Sequence, residues 1–384
     1  MRYVFVGLLV ALCACSTPVP EANITGLSSE ALQITLTPTL TRAASFSVAF
    51  DAAVNSDNSE DEFSYSWDFG DGTVKTGTAQ ESHTYNTGGS FTVTVTASND
   101  EGSSSANYSL KLRPKNSPDV LILGFAGRCG VGCGAPFGNE PYLGREGTLD
   151  LLQATFDDLG YSSEAVSAAA IVANKYSEQD ANGYFEVDQA LQRAKKDWIE
   201  GYFNPTRLVF IGHSHGATWS SLLAYENQDV TFDYGIYLDA VCNSWERDNL
   251  YQLGFVNTIF NFYFSIKQPY PETLKDGACN VLEVGRRDYH LKDVVPDNVR
   301  VGVEARTKPL IALPDSTALE TQGEICGLGR IANVADATVN VRFDGSKRDL
   351  FEFEMGVQNH CEVVQPDGEV MERTRAFILE QGLP

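Results

Sequence analysis

The stretch RLVFIGHSHGATWSSLLAYE, Arg207 to Glu226, decides the fold of the second half of the chain. Its first five residues, RLVFI, have no alternating polar face, which predicts a buried strand. Trp219, Leu222 and Leu223 recur at helical spacing after the motif. Between these two patterns lies Gly-x-Ser-x-Gly, with Ser214 at its centre. The stretch therefore predicts a strand, a tight turn and a helix, with Ser214 held above the sheet by the turn.

A serine hydroxyl is a weak nucleophile and needs a base to take its proton. Two histidines flank the serine directly, His213 and His215. In so tight a turn their side chains diverge from that of Ser214, so we expect neither to be the base. The two glycines of the motif are expected because the turn is strained and brings backbone segments close together.

Apolar strand-like runs alternate with helix-period segments from residue 119 onwards, which predicts a mainly parallel sheet covered by helices. With the Ser214 motif, residues 119–384 resemble the α/β-hydrolase family. The resemblance implies a Ser-acid-His order, with the histidine in a loop near the chain end. His360, which precedes a terminal helix-period segment, fits this arrangement best, and His290 is the alternative.

The acid of the implied triad orients the histidine. Asp239 ends the apolar run FDYGIYLD that follows the Ser214 helix, and it resembles the acid of a lipase subgroup. The more common family position lies one strand later, where Asp288 or Asp315 could serve. We expect Asp239 to be the acid and keep the other two as alternatives.

The resemblance also implies an oxyanion hole built from two backbone N–H groups. His215 offers one, at the start of the predicted helix. The second is expected from Phe125, with Ala126 next, although Leu123 precedes Gly124 where related lipases have histidine. Residues 243–278 are rich in aromatic side chains and are interpreted either as a lid or acyl pocket or as a buried strand.

The first half of the chain has a different pattern. Short runs with the strand period of two, such as 46–50 and 91–97, are separated by Asp-Gly and Gly-Gly turns over residues 30–113. YSWDFGDG (65–72) and HTYNTGGSFTVTVTASN (83–99) resemble the PKD domain, an immunoglobulin-like sandwich. The resemblance implies a spacer or a binder of polysaccharide or protein. We interpret Trp67 as core, His83 as structural, and the acidic run 57–62 as a solvated loop or a calcium site.

The N-terminus has the features of an export signal. Arg2 precedes the apolar run 4–12, and Leu12 to Cys15 resembles a bacterial lipobox. This implies a signal peptide at 1–14, acylation of Cys15, a tether at 15–29 and, because Ser16 follows, the outer membrane or cell surface of a Gram-negative bacterium. An ordinary secretory signal is the alternative. Residues 114–118 are predicted to link the two domains.

Six further cysteines follow residue 128, and an even number in an exported chain predicts disulfides. Their pairing is open, with a local Cys129–Cys133 bridge favoured. No metal site is predicted, because Cys-x-x-Cys pairs are lacking. The disulfide candidates are Cys129, Cys133, Cys242, Cys279, Cys326 and Cys361.

The net charge of −23 argues against nucleic acid as a partner. The resulting hypothesis is a two-domain, surface-anchored serine hydrolase that cleaves carboxylic esters and needs no cofactor. A serine peptidase or acyltransferase could use the same residues. The alternative from a different class is a surface adhesion or polysaccharide-binding protein whose second domain is a scaffold.

Overall fold

A computed structural model of the chain describes residues 33–55, 62–127, 141–169, 183–240, 281–307, 340–355 and 362–384. Residues 33–41 with Phe46–Lys111 form one compact unit, and Arg42–Ser45 with the described part of 112–384 form a second. Several predictions lie outside the described residues. They concern the signal and tether at 1–29, most of the acidic run 57–62, the lid segment 243–278, all six disulfide candidates, Asp315 and His360.

The first unit is a β-sandwich, as the sequence predicts. One sheet has the order β1-β2-β5 and the other has the order β4-β3-β6-β7. Along β2, Val48, Phe50 and Ala52 are buried while the residues between them are more exposed, which is the period-two pattern of a half-buried strand. The strands are β1 (Gln33–Leu40), β2 (Ser47–Asn55), β3 (Ser64–Asp68), β4 (Val74–Gly77), β5 (Gln80–Thr84), β6 (Gly89–Asn99) and β7 (Gly102–Leu112).

Aromatic side chains fill this sandwich. Trp67 is fully buried, and its Nε1–H donates to the carbonyl of Thr78 at 3.0 Å. Its ring stacks on Phe69, whose ring in turn stacks on His83 with 4.3 Å between the centroids. The His83 Nε2 lies 2.7 Å from an oxygen of Asp71. These contacts give Trp67 and His83 the structural roles that the sequence analysis assigns to them.

The second unit is a mixed α/β region built on a six-stranded sheet, in which all neighbouring strands are parallel. The strand order is β17-β15-β11-β10-β8-β9. The strands of this sheet are β8 (Val120–Phe125), β9 (Ser163–Ala168), β10 (Arg207–His213), β11 (Phe232–Leu238), β15 (Val299–Thr307) and β17 (Leu350–Met355). Short strands outside it are β12 (Val281–Val284), β13 (Arg287–His290), β14 (Val294–Val295) and β16 (Val341–Arg342).

Helices cover both faces of this sheet. The helices are α1 (Tyr142–Arg145), α2 (Thr148–Asp158), α3 (Tyr184–Ala194), α4 (His215–Glu226) and α5 (Glu369–Gln381). Helices α3 and α4 pack on the face that carries Phe125 and Phe210. Helices α1, α2 and α5 pack on the face that carries Ile122 and Ile211. Burial on both faces explains why β8, β10 and β11 are predominantly apolar. Each fully buried large apolar side chain stabilises the fold by roughly 1.5–3 kcal/mol.

The strand order reverses direction once, and this reversal positions the site. From β8 the chain passes outward to β9, and it then returns to the other side of β8 to form β10. The connections after β8 and after β10 therefore leave the sheet in opposite directions. In open α/β sheets such a reversal opens a crevice at the carboxyl ends of the two strands, where ligands bind. Gly127 and Ser214 follow these two strand ends.

Candidate active site

Ser214 occupies the turn between β10 and α4. Its backbone has φ 55° and ψ −125°, a conformation that L-residues rarely adopt and that costs on the order of 1–3 kcal/mol. The turn is held because the Ser214 N–H donates to the carbonyl of Leu238 at 2.9 Å and the Ser214 carbonyl accepts from the N–H of Ala217 at 3.1 Å. A serine held in this strained strand-to-helix turn has the backbone geometry of a nucleophile elbow.

The two glycines of the motif are required by close packing. A Cβ at Gly216 would lie 2.0 Å from the carbonyl oxygen of Phe125, and a Cβ at Gly212 would lie 2.4 Å from the Cα of Ala217. Real Cβ atoms do not approach other atoms so closely. The glycines therefore let α4 begin directly against β8 and β10, which sets the direction in which the Ser214 turn leaves the sheet.

Asp239 follows the end of β11, the strand beside β10. It is fully buried, its φ is 44°, and its N–H donates to the carbonyl of Ala305 at 2.8 Å. In the described residues only four non-glycine residues have positive φ, and two of them are Ser214 and Asp239. Since neighbouring strands lie ~5 Å apart, the carboxyl edge of the sheet brings these two backbones together. Strain at functional sites is common, so this clustering marks the edge as the candidate site.

The loop after β8 contributes a glycine that the sequence analysis does not single out. A Cβ at Gly127 would lie 2.5 Å from the Cβ of Ser214 and 2.9 Å from the hydroxyl oxygen of Tyr142. The Gly127 N–H donates to that hydroxyl at 2.8 Å, and the hydroxyl also bonds Nδ1 of His213. Burial raises the pKa of Tyr142 above its ordinary value of 10.0. Gly127 could have been identified from the sequence as a glycine that directly follows a predicted strand. No sequence pattern indicates the role of Tyr142.

The predicted oxyanion donors have different surroundings. His215 is the first residue of α4, and the first N–H groups of a helix have no acceptor within it. Phe125 is the last residue of β8 and pairs with Gly212 on one side and Ala168 on the other. The Ala126 N–H donates to the Ala168 carbonyl at 2.8 Å, so it is committed to the sheet. His215 starts the helix where the sequence predicts it, and both oxyanion donors stay predictions.

The alternatives for base and acid lie elsewhere. His290 and Asp288 are on β13, which pairs with β12 in a separate two-stranded sheet, and Asp288 is exposed. The turn that follows His290 reaches α4 at Ser221, whose hydroxyl lies 3.3 Å from the Lys292 carbonyl. Ser221 is two helical turns, or ~10 Å, from Ser214. His360 lies outside the described residues, between the end of β17 and Glu362.

A group of charged side chains surrounds Glu304 on β15, which is in register with Tyr237 of β11. Glu304 is 6% exposed, and one carboxylate oxygen accepts the backbone N–H of Asn340 at 2.9 Å. Burial raises the pKa of Glu304 to about 7, while the Asn340 N–H and Arg306 act in the opposite direction. Lys292 and Asp293, paired with one another and almost fully buried, lie close enough to influence the same carboxyl. The sequence analysis contains no prediction for this group.

The described ranges contain no group of three or more His, Cys, Asp or Glu residues that could hold a metal ion. Among the helices in those ranges, none is both long and apolar enough to cross a membrane.

Comparison with known proteins identifies the first unit. Residues 32–112 match the family model of the PKD domain, which confirms the prediction made from the Trp67 and His83 motifs. Human polycystin-1-like protein 1 is 34% identical over 111 residues, which are 28% of this chain and only 4% of that protein. This chain therefore spans a small fraction of the curated relative that it matches.

Solved structures of PKD domains and of carbohydrate-binding modules show sequence similarity to part of the chain. The PKD1 domain of the Vibrio cholerae metalloprotease PrtV is 28% identical, covers 21% of this chain and 95% of its own, and superposes with a TM-score of 0.18. A structure of carbohydrate-binding modules from the β-sandwich superfamily is also 28% identical, covers 22% of this chain and 34% of its own, and has a TM-score of 0.19. Such TM-scores carry no argument about this chain. The family match favours the binding alternative over the esterase, and residues 32–112 form a PKD domain.

Proposed function

We propose that the second unit is a serine hydrolase that cleaves carboxylic esters through an acyl-enzyme. The observation that carries this proposal is the backbone of Ser214, with φ 55° and ψ −125° in a strand-to-helix turn. The turn stands beside the reversal in strand order, where α/β sheets bind ligands. Strained backbone conformations cluster at functional sites, so the strain at Ser214 favours a reactive role for its hydroxyl.

The proposed reaction uses Ser214, Asp239 and His360. The Ser214 oxygen attacks the acyl carbon while His360 takes the hydroxyl proton, and the carbonyl oxygen becomes an oxyanion. The His215 N–H stabilises this oxyanion, together with a second N–H from the loop after β8. His360 then returns the proton to the departing alcohol. Water, activated by His360, attacks the acyl-enzyme, releases the acid and restores Ser214.

The described surroundings of the triad favour this assignment over its alternatives. Asp239 is fully buried at the edge of the sheet that carries Ser214, where its carboxylate can orient an imidazole N–H. Strand β17 is parallel to the other strands, so it ends at Met355 on the edge that carries Ser214. His360 therefore follows, in the sequence, a strand that ends at this edge of the sheet. After His360, the Val364 carbonyl accepts a hydrogen bond from the hydroxyl of Thr148 at 2.5 Å.

Covalent labelling tests the nucleophile. A fluorophosphonate probe should label the wild type, and p-nitrophenyl esters of rising chain length should define the acyl preference. Ser214→Ala should abolish labelling and hydrolysis while circular dichroism stays unchanged. Ser220→Ala is the matched control, since it removes another buried hydroxyl in the same helix, one that donates to the Ala217 carbonyl at 2.9 Å. Activity retained by Ser214→Ala would refute the proposal.

A histidine series tests the base. Removal of the base should cost several orders of magnitude in turnover, because attack then relies on an unactivated hydroxyl. His360→Ala should therefore behave like Ser214→Ala. His215→Ala should cost far less because its backbone N–H survives, and His213→Ala should cost less than His360→Ala. An inactive His290→Ala with an active His360→Ala would show that the chain after residue 280 supplies the catalytic loop instead.

We infer a second function, binding of polysaccharide or protein by residues 32–112, and the PKD family match favours it. The outer face of the β1-β2-β5 sheet carries an open cavity of about 380 Å³. Hydroxyl, amide and carboxylate groups line it, and such groups can hydrogen-bond a polyhydroxyl ligand. The polar lining residues are Thr37, Thr39, Asp51, Gln80, Glu81 and Ser82.

Binding assays separate this function from the hydrolase. The full chain should co-sediment with one or more insoluble polysaccharides, and Thr37→Arg should weaken the binding by filling the cavity. Ser214→Ala should bind as the wild type does. If all three proteins bind no polysaccharide and no surface protein, the binding proposal fails and the hydrolase proposal is unaffected.

We further propose export of the chain and a lipid anchor at Cys15, on the sequence pattern of residues 1–15 alone. Cys15→Ala should release soluble or unprocessed protein from the membrane fraction. Mass spectrometry that finds an unmodified mature N-terminus at Cys15 in the native host would refute the anchor.

A further inference from the structure

Three segments that are distant in the sequence meet at the hydroxyl of Tyr142. Tyr142 belongs to α1, Gly127 to the loop after β8 and His213 to the last position of β10. The hydroxyl oxygen accepts the Gly127 N–H at 2.8 Å and also bonds His213 Nδ1. Tyr142 is 7% exposed and His213 is 3% exposed, so these bonds are shielded from water.

Elementary hydrogen-bond chemistry constrains the protons at this junction. A tyrosine hydroxyl has one proton to give, and its oxygen can accept bonds from donors. The Gly127 N–H can only donate, so the oxygen accepts there. Burial raises the pKa of Tyr142, so the hydroxyl keeps its proton. The hydroxyl donates to His213 Nδ1 when the imidazole proton is on Nε2, and it accepts from Nδ1–H when the proton is on Nδ1, so the bond is made with either tautomer.

The junction sets the distance between Gly127 and the nucleophile. The place where a Gly127 Cβ would stand is 2.5 Å from the Ser214 Cβ, 2.8 Å from the His213 carbonyl and 2.9 Å from the Tyr142 hydroxyl. The Gly127 backbone therefore lies directly against Ser214. The Gly127 N–H is hydrogen-bonded to the Tyr142 hydroxyl, and the same hydroxyl is hydrogen-bonded to His213, the residue that precedes Ser214.

We propose that Tyr142 is a positioning residue for the reaction of Ser214: its hydroxyl ties the loop after β8 to the strand end that carries the nucleophile. This inference rests on the proposed hydrolase function. The role proposed for Tyr142 requires no contact with the substrate or the reacting atoms. It acts by holding the wall of the crevice at the distance from Ser214 that the tetrahedral intermediate needs.

The test compares Tyr142→Phe with Tyr184→Phe. Tyr184 is the matched control, since it is 2% exposed, lies on the opposite face of the sheet and donates to Glu226 at 2.8 Å. The measurements are thermal unfolding, the rate at which a fluorophosphonate labels Ser214, and kcat and KM on a p-nitrophenyl ester. We expect Tyr142→Phe to lower kcat and the labelling rate about 10- to 100-fold with KM unchanged. Tyr184→Phe should change neither rate.

His213 variants test the partner of the hydroxyl. His213→Ala should lower the labelling rate as Tyr142→Phe does, and the double variant should fall no further, because both changes remove one shared bond. His213→Asn, whose side-chain oxygen can accept from Tyr142, should recover most of the rate.

The outcomes separate the two proposals. A wild type that labels, with Tyr142→Phe labelling equally fast, overturns the positioning role and leaves the hydrolase proposal standing. Equal losses in Tyr142→Phe and Tyr184→Phe, in step with their unfolding temperatures, also overturn it, since they indicate a merely structural role. A wild type that neither labels nor hydrolyses any ester overturns the hydrolase proposal and this inference with it.

Discussion

Glu304→Gln should gain stability relative to the wild type as the pH rises from mildly acidic to mildly alkaline values. Glu304 lies on β15 with 6% of its surface exposed, and one of its oxygens accepts the Asn340 N–H at 2.9 Å. Burial raises its pKa to about 7 from an ordinary value of 4.5, and the charge of Asp293 adds to this effect. The charged groups around it are Lys292, Asp293 and Arg306.

The sign of the effect follows from proton binding. Between pH 4.5 and about pH 7 the folded chain holds a proton on Glu304 that the unfolded chain has lost. The stability that this proton contributes is complete below pH 4.5 and is lost as the pH rises through about 7. Each pH unit in this window is worth ~1.4 kcal/mol, so the total is on the order of 3 kcal/mol.

Glutamine cannot ionise and still offers an oxygen to the Asn340 N–H. The free energy of unfolding of Glu304→Gln relative to the wild type should therefore rise by about 3 kcal/mol between pH 4.5 and pH 8. Urea unfolding followed by tryptophan fluorescence at both pH values measures this difference. Glu372→Gln, an exposed change on α5, is the control and should show no such trend. A constant difference between Glu304→Gln and the wild type across this range would refute the reasoning.

Two further substitutions test the packing. Gly216→Ala should destabilise the second unit by about 3 kcal/mol or more in chemical denaturation, because its Cβ would lie 2.0 Å from the Phe125 carbonyl oxygen. Gly144→Ala, with no atom within 4 Å of its Cβ, should be nearly neutral, and a neutral Gly216→Ala would contradict the described turn. Trp67→Phe should cost the first unit about 1–3 kcal/mol, because the Thr78 carbonyl loses its buried donor. An unchanged unfolding midpoint would show that the bond contributes nothing.

Local pattern was sufficient to predict the turn at Ser214. The apolar run of β10, the two glycines and the helical spacing after them are all within twenty residues of one another, so the sequence specifies strand, turn and helix directly. The position of Asp239 at a strand end could be predicted for the same reason, since it terminates the apolar run of β11. The PKD domain followed from aromatic and glycine motifs that fix its sandwich core around Trp67.

Contacts between segments that are distant in the sequence could not be predicted in this way. Tyr142 meets His213 across 71 positions, and no periodicity at either residue indicates the partner. The charged group around Glu304 was missed because strand and helix patterns identify apolar faces. A single buried carboxylate on β15 interrupts such a pattern but does not indicate which charged residues surround it. The oxyanion assignment to Phe125 followed a family spacing and stays a prediction; the structure places Phe125 at the last position of β8.

The reversal of strand order also governs how quickly the second unit can fold. Strand β10 must find β8, although β9, α2 and α3 separate them in the sequence, and the Ser214 turn is anchored only when its N–H reaches the Leu238 carbonyl on β11. Pairings between segments so far apart form slowly, because the entropy of closing the intervening chain is lost before the contacts are gained. The first unit, built mainly from neighbouring antiparallel strands, has shorter loops to close. The proposed reactivity of Ser214 should therefore reappear after the bulk of the secondary structure during refolding, and a fluorophosphonate added at intervals would time the completion of the turn.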